Sequence, residues 1–79
     1  MKEKVTIYTT GFCPYCTAAK RLLTQKNIAF EEVDVSEDKD FDDLVRRTGM
    51  KTVPQIFFGD KLIGGYQELT ELDQKGLLP

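Results

Sequence analysis

Residues 11–20 read GFCPYCTAAK. Two cysteines, Cys13 and Cys16, stand where the chain changes its period. Before them, Lys4–Thr9 alternates and is rich in β-branched residues, with Val5, Ile7 and Tyr8 apolar, which predicts a strand. After them, Tyr15, Ala18, Ala19, Leu22 and Leu23 recur at helical intervals, and Lys20, Arg21, Thr24 and Gln25 take the other face. Pro14 suits a first helical turn, where its missing N–H costs nothing. Asn27 suits the stop. Thr10–Phe12 is a short loop between the two elements.

The remainder follows the same grammar. Ala29–Val35 reads as a second strand through Phe30, Val33 and Val35. The acidic run Glu37–Asp43 reads as the solvated start of a second helix built on Phe41, Leu44 and Val45. Acids in its first turn and Arg46 and Arg47 in its last suit the helix dipole, and Gly49 closes it. Gln55–Phe58, Gly59–Asp60 and Lys61–Gly64 read as a β-hairpin with a two-residue turn. A last helix carries Tyr66, Leu69 and Leu72, with Gly76 near its end. The order is β-α-β-α-β-β-α: an α/β fold, in which a four-stranded mixed sheet is flanked by three helices. The first two strands are parallel through a right-handed crossover, and the hairpin is antiparallel.

Composition narrows the function. Seventy-nine residues suffice for one domain, 1–79. Thirteen acids against eleven bases, interleaved, argue against a general nucleic-acid binder. No apolar run reaches the length of a membrane span. The opening, MKEKVTIYTT, enters a strand without a secretory apolar segment, so a cytoplasmic location is expected. Thiols are kept reduced there.

Three readings of the cysteine pair compete. A structural zinc site takes four Cys or His ligands, and this chain has two cysteines and no histidine; no metal is expected. A purely structural i to i+3 disulfide closes a tiny loop and constrains little. A Cys-x-x-Cys pair between a strand and a helix reads as a redox couple. Cys13 falls at the helix N-terminus, where unpaired N–H groups and the dipole favour an anion. The thiolate is the nucleophile. Cys16, one turn inward and less exposed, is placed to attack a mixed disulfide formed at Cys13.

On Cys13-Pro14-Tyr15-Cys16, then Thr52-Val53-Pro54, then Gly64-Gly65, the chain resembles the glutaredoxins, specifically the short bacterial dithiol type. The resemblance covers essentially the whole chain and implies a thioredoxin-like fold. It implies a glutathione-dependent thiol–disulfide oxidoreductase that reduces protein disulfides and glutathionylated proteins as a monomer. Glutathione is then the co-substrate. Its cysteinyl part would pair with the backbone of Val53 before a cis Pro54, by strand addition. Its γ-glutamyl carboxylate would meet the amides around Tyr66 and Gln67, after Gly65, and Gln67 or Glu68 would take its amino group. Lys51, beside Thr52, would serve the glycine carboxylate, where relatives often have a basic residue. Tyr15 would line the groove rim.

Plainer readings stand beside these. Pro54 also fits as a strand-entry proline, the two glycines as an ordinary turn, Lys51 as a surface lysine and Tyr15 as part of the apolar helix face. Phe41, near where some relatives carry a polar group, reads as core. The chain departs from the family pattern at Thr10, where many relatives have lysine, and at Gln67, where an acid or hydroxyl is common. Two alternatives follow: an electron donor to ribonucleotide reductase recharged by thioredoxin reductase, and a carrier of a glutathione-ligated [2Fe–2S] cluster shared by two chains.

Overall fold

The protein is described by a computed structural model over residues 4–79. The reading of the opening as free of a secretory segment rests in part on residues 1–3, which lie outside the described residues. Seven elements follow in order: β1 (Val5–Thr9), α1 (Pro14–Gln25), β2 (Phe30–Asp34), α2 (Asp38–Thr48), β3 (Gln55–Phe58), β4 (Lys61–Gly64) and α3 (Tyr66–Gln74). The strands form one sheet in the order β2-β1-β3-β4. β1 and β2 are parallel, while β1–β3 and β3–β4 are antiparallel. This is the expected thioredoxin-like arrangement. Only element ends differ. Lys4 lies outside β1, and Ala29 and Val35 lie outside β2, although the Val35 N–H still donates to the Thr9 carbonyl at 2.7 Å.

The alternation in β1 sorts the two faces of the sheet. Val5 and Ile7 of β1, with Ile56 and Phe58 of β3, are buried on one face, and Ala19 and Leu23 of α1 and Leu69 of α3 pack with them. Full burial of each large aliphatic chain is worth about 1.5–3 kcal/mol. On the opposite face Tyr8 and Phe57 meet edge to face, with centroids 5.5 Å apart. Arg47 of α2 lies 5.8 Å over the Tyr8 ring. Leu44 anchors α2 and is fully buried, whereas Phe41 is only half-buried, short of the core position its hydrophobicity suggested.

The helices stop where their sequence says. Asn27 sits at φ 58, just beyond α1. Gly49 takes φ 77 as the left-handed cap of α2 and donates to the Val45 carbonyl.

Strand direction then gathers three loops at one end of the sheet. β1 runs out toward Cys13. β3 begins beside its end, with Gln55 opposite Tyr8. β4 finishes with Gly64 opposite Ile56. The loop after β1, the loop before β3 and the turn after β4 therefore lie side by side.

Candidate active site

Cys13 is the N-cap of α1, in extended conformation, and Pro14 follows as its first helical residue. The Cys13 sulfur takes the place of a capping oxygen: it accepts the Cys16 N–H at 3.1 Å. The first turn of α1 carries no acid to oppose negative charge there. Cys13 and Cys16 are joined as a disulfide, with Cα atoms 5.2 Å apart. Their surroundings differ. Cys13 is half-buried, whereas Cys16 is 2% exposed. An outside reactant therefore reaches the first sulfur and not the second, which is the asymmetry expected of a nucleophile and a resolving thiol.

Two polar ties fix the β1 end that leads into this loop. The buried Thr9 hydroxyl donates to the Glu32 carboxylate at 2.7 Å, and the same Glu32 oxygen receives Lys20 of α1 at 2.9 Å. The hydrogen bond from Lys20, then that from Thr9, hold the Glu32 carboxyl below its ordinary range. Gly11 donates its N–H to the Ser36 hydroxyl at 2.8 Å, and Ser36 donates its own N–H to Asp34 at 2.7 Å. Neither tie was legible in the sequence, because each joins residues more than 20 positions apart or depends on the fold of a loop.

Opposite the cysteines, the Val53–Pro54 bond is cis, as the resemblance implied. The Val53 carbonyl oxygen lies 3.7 Å from the Cys13 sulfur. Among the described residues, neither the N–H nor the carbonyl of Val53 pairs with another backbone group.

A groove of about 390 Å³ opens beside Val53. Met50, Thr52, Val53 and Pro54 form one wall, and Gly65, Tyr66, Gln67 and Glu68 the other. Tyr15 completes the rim, 66% exposed, with its ring 6.1 Å from that of Tyr66. Its place is thus the rim and not the apolar face of α1. Of the residues expected to contact glutathione, only Lys51 fails to line the groove and is exposed on the same loop; the cysteines stand outside the lining, Cys13 beside it at Val53. Met50 lines it instead, and no motif pointed to it.

The glycines are dictated by space. Gly64 has φ +128, and a Cβ there would fall 2.8 Å from both Cγ and Oε1 of Glu68. A Cβ on Gly65 would stand 3.4 Å from the Pro54 carbonyl oxygen across the groove. Glu68 turns back over the head of α3, and its Oε1 accepts the Gly65 N–H at 2.7 Å. This is half of a capping box, since glycine has no side chain to return the bond. The other Glu68 oxygen accepts no hydrogen bond among the described residues.

Similarity to known proteins agrees with this geometry. The glutaredoxin family model matches residues 5–63. A glutaredoxin of Pseudomonas aeruginosa is 41% identical over 75 residues, spanning 94% of this chain and 89% of that protein. The solution structure of a Brucella melitensis glutaredoxin superposes with a TM-score of 0.83 at 39% identity, covering 95% of this chain and 83% of that one. A buckwheat glutaredoxin–glutathione complex gives 0.86 at 28% identity, covering 96% and 73%. A Cys-x-x-Cys pair that heads a helix, in a sheet of this topology and with relatives of this closeness, leaves one conclusion: the chain belongs to the glutaredoxin family of thiol–disulfide oxidoreductases.

Proposed function

We propose that the oxidoreductase draws its electrons from glutathione and reduces glutathionylated proteins and protein disulfides. The observation that carries this reading is the placement of the Cys13 sulfur. It caps α1, and it stands 3.7 Å from the unpaired Val53 backbone at the edge of the groove.

With a glutathionylated protein, the Cys13 thiolate attacks the glutathione sulfur. The Cys13–glutathione bond forms, the protein–glutathione bond breaks, and the protein leaves as thiolate and takes a proton. A second glutathione then attacks the adduct sulfur, releasing oxidised glutathione and restoring the Cys13 thiolate. With a protein disulfide, Cys13 forms a mixed disulfide with one sulfur and frees the other. Cys16 then attacks the Cys13 sulfur, which releases the reduced protein and leaves Cys13–Cys16 oxidised. Two glutathiones reduce that bond.

The groove suits an extended thiol tripeptide. Val53 offers an N–H and a carbonyl for strand addition to the cysteinyl residue. The first amides of α3, at Tyr66 and Gln67, suit the γ-glutamyl carboxylate. The Glu68 oxygen not engaged by Gly65 suits the amino group, with the Gln67 carbonyl as its neighbour. Thr52 and Pro54 shape the wall, and Tyr15 closes the rim. Lys51 reaches the glycine carboxylate only by swinging toward the groove from its exposed position. The buckwheat relative in complex with glutathione, of the same fold, supports the assignment. We further assign the protein to the cytoplasm as a monomer. No described helix is long and apolar enough to cross a membrane.

The test is a coupled NADPH assay on a glutathionylated peptide. Turnover with glutathione plus glutathione reductase, and little with thioredoxin reductase, is expected. The reverse pattern overturns the reading in favour of thioredoxin-reductase recharging.

A further inference from the structure

β3 opens on a residue that its packing alone does not explain. Gln55 is completely buried, in a strand that continues Ile56-Phe57-Phe58. Its Nε2 donates twice, to the Met50 carbonyl at 3.0 Å and to the Thr52 carbonyl at 3.1 Å. Its Oε1 has no protein partner among the described residues. An apolar chain of the same shape would leave the Met50 and Thr52 carbonyls without this donor. The amide thus ties two carbonyls of one loop to the head of β3.

Both carbonyls that it holds belong to the groove wall. With the Met50 and Thr52 carbonyls drawn inward to one amide, the next carbonyl, that of Val53, is left facing the Cys13 sulfur. The loop's other end is pinned as well. The Thr48 hydroxyl donates to the Leu44 carbonyl at 3.0 Å and accepts the Met50 N–H at 3.1 Å.

We propose that Gln55 is a positioning residue for the glutathione groove: from inside the fold, its amide fixes Met50–Thr52 and so sets the Val53 edge that receives the glutathionyl group. The proposal deepens the glutathione reading above and rests on it. Gln55 touches none of the reacting sulfurs and acts through Val53.

Gln55→Met removes both donors at similar volume. The expected result is a KM for a glutathionylated peptide about tenfold higher (about 1.4 kcal/mol), with kcat unchanged, the signature of lost binding common to ground and transition states. Single-turnover reduction of a glutathione-free disulfide by the pre-reduced variant stays at the wild-type rate, as does the pH dependence of Cys13 alkylation. An unchanged KM, or equal losses on both substrates, overturns the proposal. A second measurement does not depend on the variant's folding. In Cys16→Ser protein, the Gln55 side-chain NH2 resonances shift when glutathione is joined to Cys13, and unmoved resonances overturn it. A wild-type protein that does not prefer the glutathionylated substrate overturns the glutathione reading and this proposal together. A wild type with that preference, beside an indifferent Gln55→Met, sinks the proposal alone.

Discussion

The Cys16 N–H points at the Cys13 sulfur from 3.1 Å, so α1 is capped by the more exposed of the two cysteines. A capping sulfur gains most when it is negative, because the N–H groups and dipole at a helix head favour an anion. In the proposed mechanism the inner cysteine serves twice, through its amide to the thiolate and through its own sulfur to the mixed disulfide.

That division of labour gives a first expectation. Cys13→Ser abolishes both deglutathionylation and protein-disulfide reduction. Cys16→Ser loses the second and keeps much of the first, since glutathione itself resolves the Cys13 adduct. Steady-state assays on the two substrate types check this. Full deglutathionylation by Cys13→Ser contradicts it.

Gly64 and Glu68 form a coupled pair. Gly64→Ala adds a Cβ that would lie 2.8 Å from two Glu68 atoms, at a backbone angle that L side chains rarely adopt. The expected loss is about 1–3 kcal/mol of stability, read as a lower melting temperature. Gly64→Ala/Glu68→Ala recovers the part of the clash due to Cγ and Oε1, and leaves the 3.1 Å approach to the Glu68 Cβ and the backbone part. Additive losses in the double-mutant cycle contradict the contact.

Phe12 precedes Cys13, the proposed nucleophile, and is 92% exposed. It has little packing to lose, so Phe12→Ser changes stability by less than about 0.5 kcal/mol. An exposed ring beside a reacting sulfur is suited to the polypeptide joined there. The substitution is therefore expected to raise KM for a protein disulfide several-fold and to leave a small glutathionylated thiol unaffected. Equal effects on the two substrates contradict this role.

Glu32 supplies a pH dependence. Its carboxyl is held low first by the Lys20 hydrogen bond and then by Thr9. A depressed carboxyl adds stability above its unfolded pKa and loses it as pH falls through the folded one. The loss therefore comes on below about pH 4. The pair is partly exposed, so its worth is under about 1 kcal/mol. Denaturation curves of wild type and Glu32→Gln should converge in acid and separate at neutral pH. A constant gap across that range contradicts the ion pair's part in it.

What could be read in the sequence was local. The hairpin of β3 and β4 was legible to the residue because Gly59–Asp60 is a turn by its own chemistry. The head of α1 was marked by Pro14 and the end of α2 by Gly49. The groove was legible by motif, since Thr52-Val53-Pro54 and Gly64-Gly65 sit at strand ends that this topology brings together. What escaped depends on chain meeting chain. Alternation places Gln55 on the face of Phe57, and nothing nearby in sequence says that the Met50–Thr52 backbone folds onto its amide. Lys51 lies between two lining residues yet is exposed outside the groove. Phe12 is apolar and stands almost wholly in solvent. Phe41 is equally apolar and only half-buried. Glu68 has capping-box spacing from Gly65, but glycine cannot return the bond, so the signal was weak.

The proposed mechanism requires that reduced Cys13 be a thiolate at neutral pH because it heads α1. The direct measurement is the iodoacetamide alkylation rate of reduced Cys16→Ser protein as a function of pH. A rate already at its plateau near neutrality is the expected result. A rate that keeps climbing through about pH 8.5, as a free cysteine's does, contradicts the claim.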